Sequence, residues 1–258
     1  MAHGQLYLMY SNLSGHTDKM PDKRLHAGDD GASERPTKRR RIVESRVNLR
    51  FRSLQIKTII ADGKEAIHTA RKAGDSHIAP EGMLAIFADG SYCDREKNGG
   101  FGLAFKQPGR RSWEILGYKM KYCLSSIQAE LAAIAEALAV AAFEADIHHP
   151  AGASIKVFTD SQSSIELLQD TCKDEMYWPS RPHFAAARCV ADVLDRLSDV
   201  FADHKVEIHW CPRRSTAGTK IADDIASEAR QGLFTRELRH PETRELDEDV
   251  LMLTQTYN

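Results

Sequence analysis

Five acidic residues set far apart in the chain, Asp89, Glu130, Asp160 and the adjacent Asp223 and Asp224, stand where the hydropathy pattern changes. Asp89 closes an apolar run of strand length, Met83–Ser91, in which Met-Leu-Ala-Ile-Phe-Ala gives way to Asp-Gly-Ser. Asp160 ends a second internal strand, Ile155–Thr159, while Glu130 lies in the first turns of an alanine-rich helix and Asp223 near the start of the last helix. A carboxylate left ionised at the margin of a core needs backbone donors or a cation. In an α/β sheet, side chains at the carboxyl ends of neighbouring strands and on the helix beside them converge on one crevice. An all-oxygen set with no His or Cys suits Mg²⁺, with Mn²⁺ as the alternative, rather than zinc. Two such ions about 4 Å apart activate a water and stabilise the leaving oxygen in phosphodiester hydrolysis.

Each acid also has a plainer use. Asp-Gly is a frequent turn pair, and Asp160 is placed to cap the helix that follows it. Asp223 and Asp224 both lie about 130° from the apolar face made by Ile221, Ala222 and Ile225, so periodicity does not separate them. Several plain uses coinciding in this strand-and-helix order are harder to account for than one shared site.

The elements that must position these acids follow from patterning. Gly99–Lys106, a Pro108-Gly109 turn and Ser112–Met120 continue the first strand as an antiparallel meander. The spacing predicts a helix over Ser126–Ala145 that buries Leu131, Ile134, Leu138 and Ala141. At 100° per residue, Glu130 falls about 70° from the centre of that face, and Glu136 nearly opposite, facing solvent. Ile165, Leu167 and Leu168 mark a helix after Asp160, and Trp178-Pro179 and Arg181-Pro182 break the chain. Ala185–Ala202 is amphipathic, with Val190, Val193, Leu194, Leu197 and Phe201 inward; Val206, Ile208 and Trp210 alternate as a third core strand before Pro212. A final helix covers Ile221–Arg230. This order implies an α/β fold: a five-stranded mixed sheet, three antiparallel strands followed by parallel crossovers, flanked by helices.

Charge and composition bound the alternatives. The net charge of −2 is uneven: residues 1–81 carry 15 Lys/Arg against 10 Asp/Glu, residues 82–231 carry 17 against 21, and residues 232–258 carry 3 against 6. The acidic middle block must grip a polyanion through a local patch or metal ions rather than its overall field. No unbroken apolar run reaches the roughly 18 residues of a membrane span, and the start lacks the pattern of a secretory signal. The five cysteines, with no Cys-x-x-Cys pair, argue against a disulfide framework or structural zinc. An intracellular monomer with no membrane partner is therefore expected. Residues 1–50 read as a disordered basic tail whose cluster Lys38–Arg41 suits a nuclear address. Residues 51–81 read as a linker with weak structure, a short strand at Leu54–Ile60 and a helical turn or two at Lys64–Lys72. Residues 82–231 form the folded domain, and 232–258 an extension with no functional reading.

Phe87-Ala88-Asp89-Gly90-Ser91, Gln128-Ala129-Glu130-Leu131, Phe158-Thr159-Asp160-Ser161-Gln162 and Ala222-Asp223-Asp224-Ile225-Ala226 resemble, in order, the acidic motifs of type 1 ribonuclease H and the ribonuclease H domains of retroelements. Trp210-Cys211-Pro212 resembles the strand before the last motif. The resemblance spans about Leu84 to Arg230. It implies a ribonuclease H-like fold and a two-metal endonuclease that cuts the RNA strand of an RNA/DNA hybrid, leaving a 3′-hydroxyl and a 5′-phosphate. It implies Asp89, Glu130, Asp160 and Asp223 as catalytic and metal-holding residues, and so chooses Asp223 over Asp224. Gly90, Ser91 and Gln162 align with positions that touch RNA in the family; a hydroxyl or amide suits a 2′-hydroxyl. Where the family carries a Gly-His pair, this chain reads Arg213-Arg214. An Arg cannot shuttle protons near neutral pH but binds phosphate, which makes Arg214 a substrate contact. That replacement also supports an alternative, a catalytically weak ribonuclease H-like module that binds nucleic acid or protein.

Overall fold

The structure, a computed structural model, describes residues 45–233 apart from 52–53, 77, 121–122, 149–151, 172–185, 188–189, 191–192 and 196–197. The basic cluster Lys38–Arg41, the Trp178–Pro182 break and residues 234–258 lie outside the described residues.

The strands are β1 (Ser45–Phe51), β2 (Leu54–Ile60), β3 (Met83–Cys93), β4 (Asn98–Phe105), β5 (Glu114–Met120), β6 (Ser154–Thr159) and β7 (Lys205–Trp210). They make one sheet in the order β1-β2-β7-β6-β3-β4-β5. Pairing is parallel from β2 through β7 and β6 to β3, and antiparallel for β1–β2, β3–β4 and β4–β5. The expected mixed α/β topology is present, but among the described residues the sheet has seven strands rather than five. The added pair corrects two expectations at once. Residues 45–50 are strand, not tail, and the expected strand Leu54–Ile60 is present but belongs to the main sheet, beside β7, rather than to a weakly structured linker.

β3 is central because Leu84–Ala88 is apolar at successive positions and is covered on both faces. α2 (Ser126–His148) packs on one face, and the last helix, Ala217–Gln231, packs on the other. Their approach needs missing side chains: a Cβ at Gly90 would overlap the backbone of Ala129 and Glu130, and one at Gly102 the backbone of Ala222 and Ala226. Phe87 stacks on Phe158 at 5.0 Å and meets the edge of Trp113 at 5.8 Å, closing the core beneath the carboxyl end of β3.

α2 carries the expected face, since Leu131, Ile134, Leu138 and Ala141 are fully buried. Ala132, Ala133, Ala135, Ala137, Ala142 and Ala145 are buried too, because small side chains let neighbours close in around most of the helix. Glu136 is therefore not the solvent-facing acid that a one-sided helix predicts. It is only partly exposed, accepts a hydrogen bond from Tyr118 of β5, and burial raises its pKa. Ser126–Ala145 is long and apolar enough to cross a membrane, yet here it is the core helix against β3, β4 and β6.

The remaining helices are α1 (Gly63–Ala70), capped by Asp62 onto the Lys64 and Glu65 amides, α3 (Gln162–Thr171), the short α4 (Ser198–Phe201) and α5 (Ala217–Gln231). Residues 186–187, 190 and 193–195 are also helical, and Val190, Val193, Leu194 and Phe201 are buried as the periodicity requires. A π-turn, Arg71–Asp75, continues α1 and meets the start of α5. There Asp75 accepts from the Ala217 amide at 3.1 Å, and Arg71 donates to the Ser215 carbonyl at 3.4 Å. The N-terminal segment thus braces the loop that leads into α5.

Candidate active site

Strand register brings the first two acids together. Ala88 pairs with Thr159, so Asp89 stands level with Asp160; Asp160 follows the last residue of β6, whereas Asp89 does not end its strand as expected, since β3 runs on to Cys93 along β4. Asp160 is not the helix cap that it could have been. Ser161 takes that role, its Oγ accepting from the Ser164 amide at 3.3 Å. The Asp160 main chain is tied down by Trp210, whose Nε1–H donates to its carbonyl at 3.1 Å.

Glu130 reaches the same point from α2, its Oε2 accepting from the Gly90 amide at 3.1 Å. The bond exists because Gly90 lets α2 lie directly on the strand. Gly90→Ala is expected to lower stability by about 2–3 kcal/mol, because the clash is with backbone that cannot rotate away. Urea unfolding checks this, and an unchanged midpoint would show that α2 can shift freely.

Asp89, Glu130 and Asp160 each offer a carboxylate oxygen, and these oxygens lie within 4.8 Å of one another. Asp89 is 5% exposed and is pushed up to about 8 by burial first, then by the negative charges of Asp160 and Asp223, with Arg213 working against them. Glu130 is raised well above the usual carboxylate range by burial, then by Asp89 and Asp160, against the Gly90 hydrogen bond. Burial also raises Asp160, opposed by Arg213. Asp89 and Asp160 face each other at hydrogen-bonding range, and this contact favours the neutral form of Asp89 beside a charged Asp160. Three crowded carboxylates, offset by Arg213 at 3.9 Å from Asp160, form an all-oxygen donor set that fits a hard divalent cation.

Asp223 is brought to the same crevice, and the structure separates it from its neighbour: Asp223 is 4% exposed, while the Asp224 side chain is half exposed. Its oxygens are not in the three-acid cluster. One accepts from Arg213 and the other from Arg214. Arg214 also donates to Asp224 at 2.7 Å, and Arg213 Nε lies 3.9 Å from Asp160.

Beside the acids opens a cleft of about 400 Å³ lined by Gly90, Ser91, Tyr92, Ser126, Ile127, Glu130, Asp160, Ser161, Ser163 and Arg213. Of the expected substrate contacts, Gly90 and Ser91 line it, while Gln162 and Arg214 do not. Each of the four already has a protein partner: Ser91 Oγ accepts from Arg230 at 3.0 Å, Gln162 donates to Glu166 at 2.7 Å, and the Gly90 amide and Arg214 bond Glu130 and Asp223. The wall also holds hydroxyls that sequence reasoning did not single out, Tyr92, Ser126, Ser161 and Ser163. Nothing in their local pattern marks them, since Ser at a helix start reads as a cap. Arg213 was legible only as half of a pair that breaks the family pattern.

An RNase H family profile matches residues 81–231, more than half of the chain. No curated protein matches. Among solved structures, RNase H1 from the archaeon Halobacterium salinarum NRC-1 is 20% identical with a TM-score of 0.42, covering 58% of this chain and 98% of its own. The N-terminal RNase H domain of a Mycobacterium tuberculosis protein, solved as a maltose-binding-protein fusion, is 17% identical with a TM-score of 0.40, covering 58% and 95%. A foamy viral protease-reverse transcriptase in complex with dsDNA is 16% identical with a TM-score of 0.42, covering 58% and 94%.

Proposed function

The chain belongs to the RNase H family, and from that membership we propose that it is a divalent-metal-dependent endonuclease that hydrolyses the RNA strand of RNA/DNA hybrids. The observation that carries this reading is the convergence of Asp89, Glu130 and Asp160 oxygens within 4.8 Å at the head of the central strand, with Asp223 beside them. Those acids would hold Mg²⁺ or Mn²⁺, which when bound supplies the positive charge that activates a water and stabilises the leaving oxygen.

The chain's own groups do the positioning. The Gly90 amide fixes the Glu130 carboxylate, and the Trp210 indole fixes the backbone from which Asp160 projects. Both acids therefore keep their places when protons leave the cluster. The cleft hydroxyls of Ser91, Ser126 and Ser161 can bond a ribose 2′-hydroxyl, the group that separates RNA from DNA. Arg213, two-thirds exposed at the cleft margin, is suited to a backbone phosphate. The basic cluster Lys38–Arg41 supports a nuclear setting for this activity.

A second reading, a binding module with weak catalysis, draws on the engagement of Asp223 by two arginines. Incubating the purified chain with a labelled hybrid in Mg²⁺, Mn²⁺ or chelator separates the two. We expect RNA-strand cuts bearing 3′-hydroxyls with either ion and none in chelator, and no cutting of duplex DNA. Retained hybrid binding with no cutting in either ion would leave the binding module standing.

A further inference from the structure

Asp223 differs from the other acids in what balances its charge. Asp89, Glu130 and Asp160 face one another, with a single guanidinium at 3.9 Å from Asp160. Asp223 is engaged at both oxygens, by Arg213 on one and Arg214 on the other. The acid is buried while the cations lie outward, with side-chain exposures of 66% and 44%. The loop is shaped for this contact. Arg214 sits at φ +52°, a conformation that turns the chain back toward α5, and the loop's far side is held by Asp75 and Arg71. Each guanidinium satisfies one carboxylate oxygen, and together they place two positive charges where a further dication would have to enter.

We infer that Arg213 and Arg214 act as a resident counter-ion that closes the Asp223 position to a divalent ion, so that the free protein takes up one ion, at Asp89, Glu130 and Asp160, instead of two. This rests on the reading of the site as a divalent-ion site. It makes Arg213 and Arg214 positioning residues that set how many ions the protein holds before nucleic acid arrives. The two charge states compete directly: whatever draws the guanidinium groups outward, such as phosphates, opens the position, and an ion at Asp223 releases the arginines in turn.

The test is a Mn²⁺ titration of the full chain by calorimetry, with no nucleic acid present. The parent is expected to bind one equivalent. Arg213→Ala with Arg214→Gly is expected to bind a second, its dissociation constant at least tenfold below the parent's; glycine accepts the positive φ, and both removed side chains are substantially exposed. Adding Asp223→Asn to that pair should return the stoichiometry to one, and Asp223→Asn in the parent should leave it at one. Arg213→Gln, which keeps a hydrogen bond without the charge, should give an intermediate second affinity. Two ions in the parent, no second ion in the arginine variant, or a second ion that survives Asp223→Asn would each overturn the inference while leaving the functional reading intact. No ion in any variant would overturn the reading itself, and this inference with it.

Discussion

Replacing Asp89 with Asn is expected to reduce hybrid cleavage by at least about 10³-fold, beyond the 10–100-fold typical for loss of a mere supporting contact to a metal site. In chelator at pH 8 the same variant should be as stable as the parent or more so. The reason lies in how the carboxylate is held. Asp89 is buried, pushed up to about 8, and hydrogen-bonded to Asp160, so its neutral form is the one that the fold favours. Asn has nearly the same shape, carries no charge, and offers an N–H where the acid offered its proton. It keeps the bond to Asp160 and removes a repulsion, but gives up one of the oxygens that a cation needs. Denaturant melts in chelator, alongside single-turnover cleavage in Mg²⁺, check both halves. A variant that cuts at the parent rate, or that loses 2 kcal/mol or more, would make Asp89 a structural acid, and the site would have to be sought elsewhere.

Much of the fold is legible in the sequence, for reasons that differ by element. β3 announces itself because a strand covered on both faces is apolar at successive positions, and β6 through Ile155 and Val157-Phe158; the change to Asp-Gly and Asp-Ser marks where the apolar runs stop. Register then does what sequence alone cannot: pairing Ala88 with Thr159 sets an acid inside β3 level with one just past the end of β6. Leu54–Ile60 reads as a strand by alternation, but its place in the main sheet is not legible because its partner there, β7, lies some 150 residues away. α5 starts four residues before the expected Ile221. Its cap is a Thr216–Thr219 box with Thr in place of the usual Glu or Gln, and Gly218 within it looks like loop. Glu136 was misplaced because alanine is weakly hydrophobic in pattern but, being small, allows close packing on most sides of a helix. The arginine pair on Asp223 was visible as residues but not as contacts, since a loop with positive φ at Arg214 leaves no trace in periodicity.

Thermal stability should respond to pH and to divalent ions together, and the sign of that coupling tests the electrostatics of the site. In the unfolded chain the carboxyls titrate near 4; in the folded protein Asp89 holds its proton to about 8, and Glu130 and Asp160 are raised as well. Between those limits the folded state binds more protons, so stability falls as pH rises. For one group at about 8 the loss between pH 5.5 and 8 is about 3 kcal/mol. Glu207, held low first by its hydrogen bond to His209, contributes stability above the ordinary carboxylate range and loses it only on acidification, outside this window. His209 is lowered by burial, so its contribution has the opposite sign, rising with pH through its unfolded value near 6.5. The thiols of Cys123 and Cys211, raised by burial, share the sign of the acids but act only as unfolded thiols ionise at higher pH. Comparing melts in Mg²⁺ and in chelator cancels these common contributions. Because an ion competes with protons for these raised acids, the gap should be near zero at pH 5.5 and approach about 3 kcal/mol at pH 8, roughly 6–12 °C for a domain of this size. A gap that stays constant with pH, or narrows as pH rises, would mean that the ion is not bound by these acids.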